Sequence, residues 1–144
     1  MKLALLLTAL TTAALLTAAG GTPTATYVGH DKVANAIAKG GSLVTAPDLV
    51  VLGNHRVGTG EVEIHDKETD IFYVIEGSAT FVTGGTIVGA KTTAPGQIRG
   101  TDMKGGETHE LTKGDVIVIP AGVPHWFKAI PDSISYYVVK VLKQ

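Results

Sequence analysis

Two kinds of hydrophobic pattern divide the chain. Residues 3–16 are apolar apart from threonines, whereas beyond residue 42 short β-branched runs recur between glycines and prolines. Between them, Asp31–Lys39 has helical spacing, with Val33, Ala34, Ile37 and Ala38 predicted on one face, Asp31 as the cap and Gly40-Gly41 as the stop. From Ser42 onward, clustered or alternating apolar residues predict strands over 49–52, 61–65, 71–75, 79–82, 86–88, 116–119 and 134–142. So many short strands favour a sandwich or a closed barrel, because closure removes the unpaired N–H and C=O groups of a sheet edge. The Gly-, Thr- and Pro-rich stretch 90–106 is predicted to be a long hairpin excursion at the barrel mouth. The expected class is all-β with one short N-terminal helix.

Composition narrows this picture. At 144 residues the chain suits one domain, and 18 glycines fit a fold of many tight turns. Lys and Arg number 12 against 13 Asp and Glu, a net charge of −1, so no long-range field draws the chain to nucleic acid or a membrane surface. Residues 1–19 carry an early Lys2, the apolar run and the small residues Thr17-Ala18-Ala19, the pattern of an export signal too short for a membrane span. The mature chain is expected to begin near Gly20 or Gly21 and to be periplasmic or secreted. There is no cysteine, hence no disulfide even in an oxidising compartment. The expected organisation is a signal peptide over 1–19, a linker and helix over 20–41, and a barrel domain over 42–144.

Candidate chemistry lies on and after the strand 61–65. Alternation puts Glu63 and His65 on one face and Val62 and Ile64 on the other, which also describes any half-exposed strand. On the next strand Asp70 shares a face with Phe72 and Val74; it either caps the preceding turn or points into a cavity. The prolyl turn Pro120-Ala121-Gly122-Val123-Pro124 delivers His125 ahead of Trp126 and Phe127, either as a functional group or as a structural histidine bonded to a backbone carbonyl. His109 is expected in solvent and His55 at a strand end, while Phe72, Trp126, Tyr136 and Tyr137 read as core. No phosphate-binding glycine loop, Gly-x-Ser-x-Gly elbow or cysteine nucleophile is present, so catalysis by a nucleophilic triad is not expected.

In two places the chain resembles the cupin superfamily. Gly114, Pro120, Gly122 and His125 match the second cupin motif in type and spacing; the Asn expected after three further residues is Ala129. The first motif falls on Glu63, His65, Asp70 and Gly77, with glutamate in place of the first histidine and aspartate in place of the glutamate. Ile71-Phe72-Tyr73-Val74-Ile75-Glu76-Gly77 looks like the usual continuation of that motif, and together the two motifs span residues 58–129.

The resemblance implies a jelly-roll-like β-barrel with a metal centre inside it, and carries the ligand roles onto Glu63, His65, Asp70 and His125. Imidazoles with carboxylates suit one divalent ion such as Mn²⁺, Fe²⁺ or Zn²⁺. Because aspartate is one methylene shorter than glutamate, Asp70 reaches the ion directly, through water, or not at all. A degenerate barrel without an ion is the other outcome. The resemblance further implies a metal-dependent enzyme on a small organic substrate, of dioxygenase, isomerase or lyase type; the alternatives are a non-catalytic small-molecule-binding module and a purely structural barrel. No catalytic residue follows from the sequence. A homodimer is expected, paired through sheet faces, since strands 71–75 and 134–142 are apolar on both sides.

Overall fold

The computed structural model describes residues 24–143, so the expected signal segment and the new N-terminus near Gly20 or Gly21 lie outside the described residues. Its elements are α1 (His30–Lys39), β1 (Gly41–Thr45), β2 (Leu49–Arg56), β3 (Val62–His65), β4 (Glu68–Thr83), β5 (Thr86–Val88), β6 (Lys91–Ala94), β7 (Gln97–Gly100), β8 (Asp102–Lys104), β9 (Glu107–Thr112), β10 (Val116–Ile119), β11 (His125–Ala129) and β12 (Ile134–Leu142). All strand pairings are antiparallel. The class is all-β with one short helix, as the sequence predicts.

Strand β4 joins two layers. Its first half pairs with β12 and β10, and beyond β12 lie β2 and β1. Its second half pairs with β9 and β11, and beyond β11 lie β3, β7 and β6. The sequence suggests separate strands over 71–75 and 79–82, yet they form one continuous strand. Gly77 makes this possible: its φ of +79° belongs to the left-handed region, and a Cβ there would collide with the backbone oxygen of Ser133. The strand therefore changes layer at Gly77, where β12 ends as a partner and β9 begins.

Inward side chains of both layers meet in one aromatic core. Phe72 from the first layer stacks on Phe127 from the second with ring centroids 6.0 Å apart, and Phe81 meets Phe127 edge-on at 4.7 Å. Val74, Ile119, Ile134, Tyr136 and Val138 complete the buried cluster. Full burial of each such aliphatic or aromatic side chain stabilises the fold by roughly 1.5–3 kcal/mol.

The barrel does not close by hydrogen bonds, because the ladder ends at β1 on one side and β6 on the other and these do not pair. Other devices protect the edges. Helix α1 packs on β1 and β2, where Gly53 lets it approach; a Cβ at Gly53 would stand 2.9 Å from the Ala36 backbone. Edge strand β6 is short, exposed at every position and followed by Pro95, so it offers little to pair with.

Several local expectations differ from the structure. The helix buries Ala36, with Val33 and Ile37 partly covered, whereas Ala34 and Ala38 are exposed; the i, i+3, i+4 stripe through Ala36 is the one that meets Gly53. Its N-cap is Gly29 without a side-chain bond, and Asp31 lies in the first turn instead. The stretch 90–106 does form a hairpin, β6 with β7, but not one long excursion: β7 joins the second layer through β3, and β8 forms a separate ribbon with β5. Strands β9 and β11 escape the periodicity because β9 buries only Leu111 and β11 begins directly after the prolyl turn.

Candidate metal centre

Strand register assembles the site. On β3, Glu63 stands opposite His125 of β11 on one side and Arg99 of β7 on the other, and His65 stands opposite Gln97. Directly opposed residues project to the same face, so the inward face of three adjacent strands collects two histidines, a glutamate, an arginine and a glutamine. From the first layer, Asp70 of β4 stands opposite Lys140 of β12. His65, Asp70 and His125 are buried, and Glu63 is partly buried.

Hydrogen bonds determine which nitrogen of each imidazole faces the centre. Gln97 Nε2 donates to Glu68 Oε1 at 2.9 Å, so its Oε1 is the acceptor left for His65 Nδ1, 2.6 Å away. His65 therefore carries its proton on Nδ1 and turns Nε2 inward. His125 Nδ1 likewise donates to the Val123 carbonyl at 3.1 Å, leaving Nε2 inward. That atom is buried and, among the described residues, has no hydrogen-bond partner. It lies 3.8 Å from Glu63 Oε2, which is 3.4 Å from His65 Nε2.

These separations fit a shared ion. Ligand bonds of about 2.0–2.2 Å place neighbouring donors roughly 3.0–3.5 Å apart, so 3.4 Å needs no adjustment and 3.8 Å only a small one. The charge states agree. Burial pushes His125 below its usual value, which keeps the ring neutral and its lone pair available. Burial alone would raise the Glu63 carboxyl, but contact with His65 and the nearby charge of Arg99 outweigh it and hold the group at about 2. Glu63, His65 and His125 thus offer one anionic oxygen and two nitrogen lone pairs within 4.8 Å of one another.

A family model described as Cupin matches residues 49–143. The chain belongs to the cupin family. No curated protein matches it. Solved structures of similar fold include BH2720 from Bacillus halodurans, with 19% identity, 88% of this chain and 86% of that chain covered and a TM-score of 0.58. Others are a conserved protein of unknown function, SPY1581, from Streptococcus pyogenes (18% identity, 73% and 74% covered, TM-score 0.51) and KdgF from a Halomonas species (19%, 73% and 80%, 0.50). At these identities the likeness is one of fold alone.

Of the four candidate ligands of this cupin, Asp70 stands outside the group formed by Glu63, His65 and His125. Both of its oxygens accept hydrogen bonds from Lys140 Nζ, at 2.8 and 2.9 Å, and the same ammonium donates to Glu68 Oε2 at 2.9 Å. Asp70 Oδ2 is still 3.5 Å from His65 Nε2, and His65, Glu68 and Asp70 form a second possible ligand group. The lysine ammonium sits directly on that second group, whereas Arg99 stands 3.9 Å from Glu63, so the better-placed site for an ion is Glu63, His65 and His125.

The sequence reading passed over Glu68, Gln97, Arg99 and Lys140. Lys140 had a signal: it shares the inward parity of Tyr136 and Val138 in an otherwise apolar strand. Gln97 had none, since its role depends on β7 pairing with β3. The remaining histidines, His30 at the start of α1, His55 and His109, stand apart. His55 is exposed and lies 2.9 Å from Ser135 Oγ, whereas His109 is partly buried and 2.8 Å from Thr83 Oγ1, in a second cleft that shares no lining residue with the first.

Proposed function

We propose that this cupin is an exported metal-dependent enzyme that acts on a small organic molecule and holds one divalent ion on Glu63, His65 and His125. The observation that carries the reading is the buried, unpartnered Nε2 of His125, aimed at a carboxylate and a second imidazole lone pair. Leaving a buried polar atom unsatisfied costs about 1–3 kcal/mol, and an ion accepting all three donors removes that cost. A Mn²⁺, Fe²⁺ or Zn²⁺ ion there supplies Lewis-acid or redox chemistry.

The protein's own groups then have separate tasks. Gln97 and the Val123 carbonyl hold the two imidazoles in the tautomer that presents Nε2. Lys140 binds Asp70 and Glu68 beside the centre and offsets one of their two charges. Three protein donors leave coordination positions free, which favours an enzyme over a closed structural site. A cavity of about 120 Å³ opens onto Glu63, Asp70 and His125 and is walled by Phe72, Trp126 and Tyr136, which suits a small ligand.

Elemental analysis of protein purified without added metal is the test: about one equivalent of a first-row divalent ion supports the reading, and protein that neither carries nor takes up such an ion refutes it. Export is tested by sequencing the N-terminus of protein recovered outside the cytoplasm, expected to start near Gly20 or Gly21. We also propose a homodimer. The outer face of the first layer exposes Val116 (61%), Val118 (55%) and Tyr73 (47%), and register places Val116 beside Tyr73 and Val118 beside Ile71.

A further inference from the structure

The inner face of β2 carries a cation that the metal centre does not use. Leu52, Asn54 and Arg56 alternate toward the interior, opposite Val138, Tyr136 and Ile134 of β12, and all three line the cavity that contains Glu63 and His125. The Arg56 guanidinium lies over the Phe127 ring, 4.8 Å from its centroid, and beside the Tyr136 hydroxyl. Gly60 closes the remaining side, since a Cβ there would stand 2.5 Å from Arg56 Nη1. Trp126 Nε1 secures that glycine by donating to its carbonyl at 2.8 Å. Ring, tyrosine and loop together hold the guanidinium in place.

Among the described residues Arg56 has no carboxylate within ion-pair distance, whereas Lys140 is bound to Asp70 and Glu68, and Arg99 is 3.9 Å from Glu63. A partly buried guanidinium without an anion is incomplete, for its planar donors suit a carboxylate held by two parallel hydrogen bonds. The charges on the cavity wall agree. Arg56 and Lys140 face three carboxylates, Glu61, Glu63 and Asp70. A bound dication turns that excess of one negative charge into an excess of one positive charge.

We propose that Arg56 is the carboxylate-binding residue of this cavity and that the ligand is a small monocarboxylic acid bearing a second oxygen, such as a hydroxy or oxo acid. The carboxylate sits on Arg56, assisted by the Tyr136 hydroxyl, and the second oxygen points toward Glu63, His65 and His125. The cavity limits its size: about 120 Å³ holds a molecule of few heavy atoms, not a sugar chain or a peptide. This assignment rests on the metal reading for the second oxygen and on Arg56 alone for the carboxylate.

The test is calorimetric titration of Mn²⁺-loaded protein with L-lactate and pyruvate, with lactamide as the uncharged control. Both acids are expected to bind saturably, lactamide at least roughly tenfold more weakly, and Arg56→Gln to weaken the acids at least roughly tenfold, the scale of one lost charge-assisted pair. Arg56→Lys, which keeps the charge without the planar fork, is expected to fall between the two and supplies the answer if the glutamine variant fails to fold. The proposal is overturned if neither acid binds, if lactamide binds as well as lactate, or if a folded Arg56 variant takes the acids with wild-type affinity. A wild-type protein that takes up no Mn²⁺ sinks the metal reading separately. Titrating that metal-free protein then decides on Arg56 by the same comparison of acid, amide and variant.

Discussion

Lys140 Nζ lies 2.8 and 2.9 Å from the two carboxylate oxygens of Asp70, its direct cross-strand partner between β12 and β4. The pair is enclosed in the cavity wall, with Asp70 only 2% exposed. Removing the ammonium strands a buried carboxylate, so Lys140→Met is expected to destabilise the metal-free protein by about 3–5 kcal/mol. Asp70→Asn in the same chain should recover most of this. Urea denaturation of the single and double variants measures both; a loss below ~1 kcal/mol would mean that the pair behaves like an exposed one.

His65→Ala and His125→Ala are each expected to abolish stoichiometric Mn²⁺ binding, because either change leaves two of three donors. Gln97→Leu removes no donor but frees the His65 ring to turn, and is expected to lower metal affinity by roughly 10–100-fold. His109→Ala, altering a residue in the second cleft, should leave affinity unchanged. Isothermal titration of the four variants checks the set, and full binding by His125→Ala contradicts the assignment.

The metal-free protein should lose stability as it is acidified, in two stages. Burial depresses His125 from its usual 6.5, so below that pH the unfolded chain takes up a proton that the folded ring resists. Glu63 titrates at about 2 when folded against 4.5 when unfolded, so its contribution is complete above 4.5 and fades as pH falls from there toward 2. Denaturation midpoints followed from neutral pH downward test this. His125→Gln should flatten the upper stage and only weaken the lower one, since His65 and Arg99 still lower Glu63.

Gly77→Ala is expected to destabilise the fold by more than ~1 kcal/mol, since alanine is strained at positive φ and its Cβ meets the Ser133 carbonyl oxygen. Because Gly77 is where β4 changes layer, the damage should spread to the aromatic core, visible as a weakened near-ultraviolet dichroism signal. Gly114→Ala, with a φ of +94° but no atom within 4 Å of an added Cβ, carries only the backbone strain and is expected to be milder.

A single charge on the outer apolar face tests the dimer. Val118→Lys, at a position 55% exposed in the single chain, should shift the protein to monomers in light scattering while leaving its metal content unchanged. A wild-type protein that is already monomeric at working concentrations removes the proposal.

Features of the site that are local along the chain are legible in the sequence, and distant ones are not. Alternation on 61–65 placed Glu63 and His65 on one face without any tertiary information, and the turn Pro120–Pro124 announced a held histidine at 125. Motif spacing added Asp70 and Gly77 and with them the barrel. Its edges, however, depend on which strands finally pair, and β1 and β6 remain apart.

Period-two alternation, turn residues and motif spacing are local properties of the chain, and they suffice for the class of fold, the helix near residues 31–39 and the trio Glu63, His65 and His125. Only the tertiary structure decided that Lys140 neutralises Asp70, that Gln97 orients His65 and that Arg56 faces the same cavity. Each of these depends on register between strands far apart in sequence: 70 residues separate Lys140 from Asp70 and 32 separate Gln97 from His65. A shift of one residue in either pairing would turn those side chains to the opposite face. The identity of a ligand set is written in short spacings, whereas the charges that surround it are set by how the layers dock.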